Sequence, residues 1–231
     1  MTAAFTVAID GPVAAGKTTI GRMLAQATGA LFFDTGIVYR AVAHRALARA
    51  VDPRDDAAVS GLAASIKIEL RDEQGDTRLL ADGADISDEL RSPEIDRALP
   101  PISANPGVRR ALLDCQRSAI AGRSAVVVGR DIGTVILPEA DLKIYLDAAP
   151  QVRAQRRYDE LRARGVEIDP GIVLRDLLAR DERDSSRAHA PLQQAPDAVV
   201  INATDMTAEA VVAVILERVA ARQRKCAGEA E

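Results

Sequence analysis

A three-layer α/β fold with a five-stranded parallel sheet is predicted by three observations. First, five short apolar runs, FTVAID (5–10), ALFFD (30–34), AVVVG (125–129), LKIYLD (142–147) and AVVIN (198–202), are mostly separated by helical patterns. Strand alternating with helix implies right-handed crossovers and parallel strands. Second, the 231 residues are 48% hydrophobic but only 3% aromatic, with no Trp. A core of Val, Ile, Leu and Ala suits strands buried on both faces. Third, a glycine-rich loop, GPVAAGKTT, joins the first run to the amphipathic run IGRMLAQATG.

Taken in order, the elements have readable boundaries. Gly29 stands where the first helix should end, and Gly122 where a later one should. Asp52-Pro53, Ser92-Pro93 and Asn105-Pro106 each place a capping side chain before a proline at the first helical position. Residues 62–103 break the rhythm. SIKIELRDEQGDTRLLADGADIS reads as two or three short antiparallel strands around a Gln-Gly-Asp turn, followed by helices. The expected organisation is a core of residues 1–61 and 104–231, with a small antiparallel β insert over 62–103. QVRAQRRYDELRARG (151–165) reads as a helix closed by Gly165. A further helix is expected to run to about 187, with Pro191 ending that element. Thr207 can cap the last helix, which carries AVVAVILERVA, and the polar tail from Arg222 is expected to fray.

Composition removes several function classes. The net charge is -4, whereas a general nucleic-acid binder is usually basic, so no nucleic-acid partner is expected. No apolar run is long enough to span a bilayer, and the N-terminus lacks a basic region followed by a long apolar run. Cys115 and Cys226 are far apart and have no metal-ligand spacing; they read as a small buried hydrophobe and a tail thiol. A reduced, cytoplasmic, monomeric protein is expected. Only four of the 30 basic residues are lysines, so arginines are weighed by position rather than number.

Gly11-x-x-x-x-Gly16-Lys17-Thr18 fits the phosphate-loop (P-loop) pattern. The glycines let backbone N–H groups turn inward around phosphate oxygens, and the next helix points its N-terminal N–H groups at the same anion. Lys17 can reach β and γ phosphates, and the Thr18 hydroxyl can ligate Mg²⁺. The predicted fold is therefore the P-loop NTPase type of sandwich. A guanine-reading NKxD motif is absent, and the chain is short for a motor domain. A small-molecule kinase using ATP and Mg²⁺ fits best.

The acceptor side is read from polar groups just past strand ends, where open α/β sheets bind ligands. DTGIVYRA (34–41) places Tyr39 and Arg40 on the first turns of a helix, and an arginine there can clamp a second phosphate. GRDIGTV brings Arg130 and Asp131 out beside the P-loop. In ARDERDSSRAHAPL, Arg180, Asp184 and Arg187 share one helical face. Arg153, Arg156, Arg157, Arg162 and Arg164 line the 151–165 helix, where they could neutralise a transferring phosphoryl group. Each charged segment taken alone also reads as a structural ion pair or a solvated face. His44 and His189 have no nucleophile beside them in sequence. A phosphate acceptor is largely ionised at neutral pH, so it needs no general base. Arginine clusters without an evident base thus point to phosphate-to-phosphate transfer.

Together these segments resemble the bacterial cytidylate kinases. The resemblance rests on IDGPVAAGKTTIGRMLA, FFDTGIVYRAVA, VVVGRDIGTVILPEADLKIYLDA, and ARDERDSSRAHAPL with DAVVINAT, and it extends over nearly the whole chain. It implies transfer of the γ-phosphoryl group of ATP to CMP or dCMP. Gly11, Pro12, Val13, Ala14, Ala15, Gly16, Lys17, Thr18 and Thr19 would bind ATP. Arg40 and Arg130 would hold the CMP phosphate, and Thr35 and Tyr39 would line its pocket. Asp131, Arg109 and Arg187 would read the cytosine edge, while Arg180 and Asp184 would hold the ribose. Arg156 and Arg157 would belong to a lid over ATP, at about 151–166. Lys17, Arg130, Arg156, Arg157 and Arg180 are the expected catalytic charges. The 62–103 insert would be the extended CMP-side domain. In LPPISANPGVR, Pro100 stands where the family often has a base-contacting Ser; either Ser103 substitutes or that contact is absent.

Overall fold

The computed structural model describes residues 4–73 and 76–228. Within it the chain divides into two compact units. One comprises residues 5–30 and 126–231; the other is centred on residues 31–125.

The strands in chain order are β1 (Thr6–Asp10), β2 (Leu31–Asp34), β3 (Ile68–Glu73), β4 (Asp76–Ala81), β5 (Ala84–Asp85), β6 (Ala125–Gly129), β7 (Leu142–Asp147) and β8 (Val199–Asn202). A five-stranded sheet has the order β2-β6-β1-β7-β8, and β3-β4-β5 form a separate three-stranded sheet. All five apolar runs are strands of the larger sheet. The β1–β7 and β7–β8 pairs are parallel, with Asp10 opposite Tyr145 and Asp147 opposite Asn202. Every residue of β6 is buried, as a strand covered on both faces should be. Along β7, buried Leu142, Ile144 and Leu146 alternate with partly exposed Lys143, Tyr145 and Asp147. The period of two assigns one face to the core.

In the first unit, α1 (Lys17–Thr28) buries Ile20 and Leu24, spaced one turn apart. Gly29 closes it in the left-handed conformation at φ 67°, a geometry any Cβ would resist. The helices of the second unit are α2 (Gly36–Ala48), α3 (Asp56–Ser65), α4 (Pro93–Ala104) and α5 (Pro106–Ser118). The first unit resumes with a single π-type turn at Ile132–Ile136, then α6 (Pro150–Ala163), α7 (Pro170–Ser185) and α8 (Ala208–Gly228). Thr207 Oγ1 accepts from the Ala210 N–H, as its place before the last helix predicts. Among the described residues no helix is long and apolar enough to cross a membrane.

Several expected boundaries move. Asp52-Pro53 does not start a helix: Asp52 accepts from the Arg54 N–H in a turn, and Asp55 caps α3 by accepting from Ala58. Asp52, Asp55 and Asp56 are close enough to compete for that role; Asp55 takes it, and Asp56 is the first residue of the helix. α7 stops at Ser185, so Arg187 lies beyond its end. α5 stops at Ser118, four residues before Gly122. α8 continues through the segment expected to fray, to Gly228. Of the expected Gln-Gly-Asp turn, Gln74 and Gly75 lie outside the described residues, and Asp76 already belongs to β4.

The Ser92 and Asn105 caps form as the sequence predicts, accepting from Ile95 and Val108. Asn105 does more than cap α5. It is 3% exposed, its Oδ1 also accepts from Ser60, and its Nδ2 donates to the Asp56 carbonyl and carboxylate. One amide thus joins α3 to the start of α5. Asn105→Ala should cost about 2 kcal/mol, from the lost cap and stranded polar partners. Urea denaturation would show a lower midpoint at unchanged slope.

Candidate active site

The phosphate loop begins where β1 ends, and it is built by close approach. Gly11 has φ 151°, and a Cβ there would lie 2.0 Å from the Leu146 carbonyl oxygen. No side chain fits. Ala14 then adopts φ 57° and Gly16 φ 101°. Left-handed residues in such a loop turn successive N–H groups to one side and make an anion-binding concavity. A non-glycine residue at positive φ stores strain, and Ala14 does so in the middle of this loop. The Lys17 ammonium is buried against the Gly11 and Pro12 carbonyls at 2.8 and 2.6 Å. Thr18 sits on the first turn of α1, just past the loop. This backbone suits a polyphosphate, and a hydroxyl at Thr18 suits a hard cation beside it.

Two arginines of α6 reach carbonyls of the loop. Arg153, 4% exposed, donates from Nε to the Ala148 carbonyl, and from Nη1 to the Val13 carbonyl at 3.1 Å and to Asp181 at 2.6 Å. Arg156 donates to the Ala203 carbonyl at 2.9 Å and approaches Ala15 O at 3.5 Å. Arg157 instead pairs with Glu160 within α6.

A buried charge cluster lies in the same unit. Asp184 is 3% exposed and accepts from Arg130 Nε at 3.0 Å and from Arg187 Nη2. Burial works to raise its carboxyl, but Arg130, Arg187 and Arg180 together hold it below the usual carboxylate range. Arg187 therefore meets Asp184 although the helix has already ended. Asp131, also buried, opens the Ile132–Ile136 turn.

The remaining expected residues belong to the other unit. Thr35 is buried immediately before α2. Tyr39 is buried on α2, with the Arg109 guanidinium 5.3 Å from its ring centre, a cation–π distance. Arg109 also donates to the Ser103 carbonyl. Arg40 donates to the Leu90 carbonyl at 2.9 Å and to Asp96 at 2.7 Å. The Ser103 hydroxyl bonds the Pro100 carbonyl within α4. Cys115 is half-buried, and burial pushes its thiol up, away from nucleophile chemistry.

Asp10 was not selected from the sequence. It is the last residue of β1, and its two oxygens accept the Ile132 and Gly133 N–H groups, each at 2.7 Å. The available signal was a carboxylate placed directly before the loop at the end of an apolar strand.

A five-stranded parallel sheet with a phosphate loop after its first strand defines a P-loop kinase-type core. Matches to known proteins narrow the class. The family model described as cytidylate kinase matches residues 7–221. A cytidylate kinase of Pelotomaculum thermopropionicum is 43% identical over 95% of this chain and 97% of its own length. One from Solibacter usitatus is 44% identical over 94% and 92% respectively. The chain belongs to the cytidylate kinase family, and it is a kinase. A solved structure of an uncharacterised protein from Eubacterium ventriosum shares the fold alone, with TM-score 0.53 at 10% identity over 93% of this chain and 98% of that one.

Asp10 makes the fold pH-dependent. Burial raises its carboxyl from 3.8 to about 6, against the N–H groups of Gly133 and Ile132 and the charge of Lys17, with Asp131 adding to the rise. An acid whose folded value lies above its unfolded one favours the fold most when protonated. Its contribution is therefore lost as pH rises from 3.8 through about 6. The loss is on the order of 3 kcal/mol. The melting temperature of the wild type relative to Asp10→Asn should fall between pH 4 and pH 7; a constant difference would contradict the assignment.

Proposed function

We propose that the protein transfers the γ-phosphoryl group of ATP, in line, to the phosphate of CMP or dCMP, giving ADP and CDP or dCDP. The observation that carries this reading is the Arg130–Asp184–Arg187 cluster, in the same unit as a phosphate loop, in a chain of the cytidylate kinase family.

Residues 11–19 would wrap the triphosphate with backbone N–H groups, and Lys17 would exchange its loop carbonyls for the outer phosphates. Mg²⁺, held through Thr18, would neutralise charge on the phosphates. Arg40 and Arg130 would take the acceptor phosphate. Their present partners, Leu90 O, Asp96 and Asp184, would keep each guanidinium aimed rather than free to wander. Arg180 and Asp184 would hold the ribose, with Thr35 and Tyr39 lining the pocket. Arg156 and Arg157 would close over ATP as part of a lid at about 151–166, and residues 62–103 would cover CMP. An acceptor phosphate brings its own negative oxygen, so positioning and charge neutralisation suffice without a general base.

Base selection follows from hydrogen-bond complementarity. The cytosine amino group donates, and the Asp131 carboxylate would accept from it; Arg109 and Arg187 would donate to the ring acceptors. Uracil offers an oxygen where that amino group stands, and a buried carboxylate repels it. The Ser103 hydroxyl donates to the Pro100 carbonyl and keeps its lone pairs, so it could add an acceptor for the base amino group beside these three residues. The reaction requires one chain and no other macromolecule, as a cytoplasmic monomer would provide.

A coupled ADP-release assay with CMP, dCMP, UMP, AMP and shikimate should show turnover with the two cytidylates above the rest. No stimulation by either cytidylate would sink the reading. Lys17→Ala should lower kcat by roughly a hundredfold or more with the fold retained. Asp131→Ala should raise KM for CMP far more than for ATP.

A further inference from the structure

We propose that Asp10 is a positioning residue for base recognition. From the end of β1 it holds the Ile132–Ile136 turn, and through that turn sets the place of the Asp131 carboxylate. The inference rests on the base-reading role given to Asp131 above.

The turn needs an external acceptor. The first N–H groups of any helical turn have no partner within it. Here those groups belong to Ile132 and Gly133, and Asp10 takes both, one on each oxygen. The carbonyl of Asp131 meanwhile accepts from Val135 and Ile136 inside the turn. Asp131 is therefore fixed through its own carbonyl and through the two amides that follow it. Neither tether uses its side chain.

Space beside the turn is tight. A Cβ on Gly133 would come within 3.1 Å of the Lys143 side chain and 3.4 Å of Asp10. Asp10 is itself pinned. It is 3% exposed, and it is bonded to Gly11, whose backbone lies against Leu146. The start of the phosphate loop and the base-reading carboxylate thus share one anchor. Losing that anchor strands two buried N–H groups, which the turn can satisfy only by moving.

Asp10→Asn tests this. The amide keeps one oxygen for one N–H but turns its NH₂ toward the other donor. The turn must shift while the volume stays the same. CMP and UMP kinetics would be measured for Asp10→Asn, Asp131→Asn and the double variant. Gly133→Ala serves as a second variant that crowds the turn without touching the phosphate loop. In Asp10→Asn and Gly133→Ala, the CMP-over-UMP ratio of kcat/KM should fall about tenfold or more, mainly through KM for CMP, with KM for ATP within about threefold. The double variant should discriminate no worse than Asp131→Asn alone, because both substitutions disable one device. Unchanged discrimination in Asp10→Asn and Gly133→Ala, beside a loss in Asp131→Asn, overturns the proposal and leaves the base-reading assignment standing. Equal losses for ATP and CMP, additive with Asp131→Asn, show a purely structural carboxylate and also overturn it. If Asp131→Asn itself discriminates as well as wild type, the base-reading assignment fails and this proposal with it.

Discussion

The Leu146 carbonyl oxygen lies 2.0 Å from where a Cβ of residue 11 would be, and much of the site depends on that approach. It forces glycine at the first loop position and seats the loop against β7. From there the loop's left-handed turns follow, and α1 starts with its N–H groups facing the same hollow. The neighbour on the other side, Asp10, is buried at a cost visible in its raised carboxyl. Such a cost persists where the group performs work that a neutral side chain would do less well. Two N–H groups at 2.7 Å are that work.

Charge is handled differently elsewhere in the same unit. Asp184 meets arginines rather than amides, and the balance runs the other way, toward a firmly ionised carboxylate. One buried carboxylate thus organises backbone, and the other organises guanidinium groups. Removing Asp184 would take their shared counter-charge from Arg130 and Arg187, the expensive case for ion pairs. Arg109 is aimed by a ring face and a backbone carbonyl, and Arg40 by a backbone carbonyl and an ion pair with the partly exposed Asp96.

The sequence made the sheet legible because each strand is a short apolar run with a clear end. Local caps were legible where a single candidate preceded a proline, as at Ser92 and Asn105. They were not where Asp52, Asp55 and Asp56 competed within one turn. The arginine cluster was legible by helical spacing, although Arg187 reaches Asp184 from beyond the helix end, which spacing cannot show. Asp10 was hidden because its partners are backbone groups over a hundred residues away, and a backbone N–H leaves no mark in a sequence. Arg153 stood in plain view among five arginines. Only burial separates it from Arg157, which pairs with a neighbour on its own helix.

The guanidinium of Arg153 on the Val13 carbonyl has an electronic consequence. A cation on a carbonyl oxygen draws electron density along its peptide. The N–H at the far end of that unit, on Ala14, becomes a stronger donor. Arg156, approaching Ala15 O, acts in the same sense on the Gly16 N–H. The N–H groups of the loop are thereby made more electropositive by guanidinium groups on its carbonyls. Part of the loop's hold on an anion would then be written in α6, more than a hundred residues from the glycines that shape it.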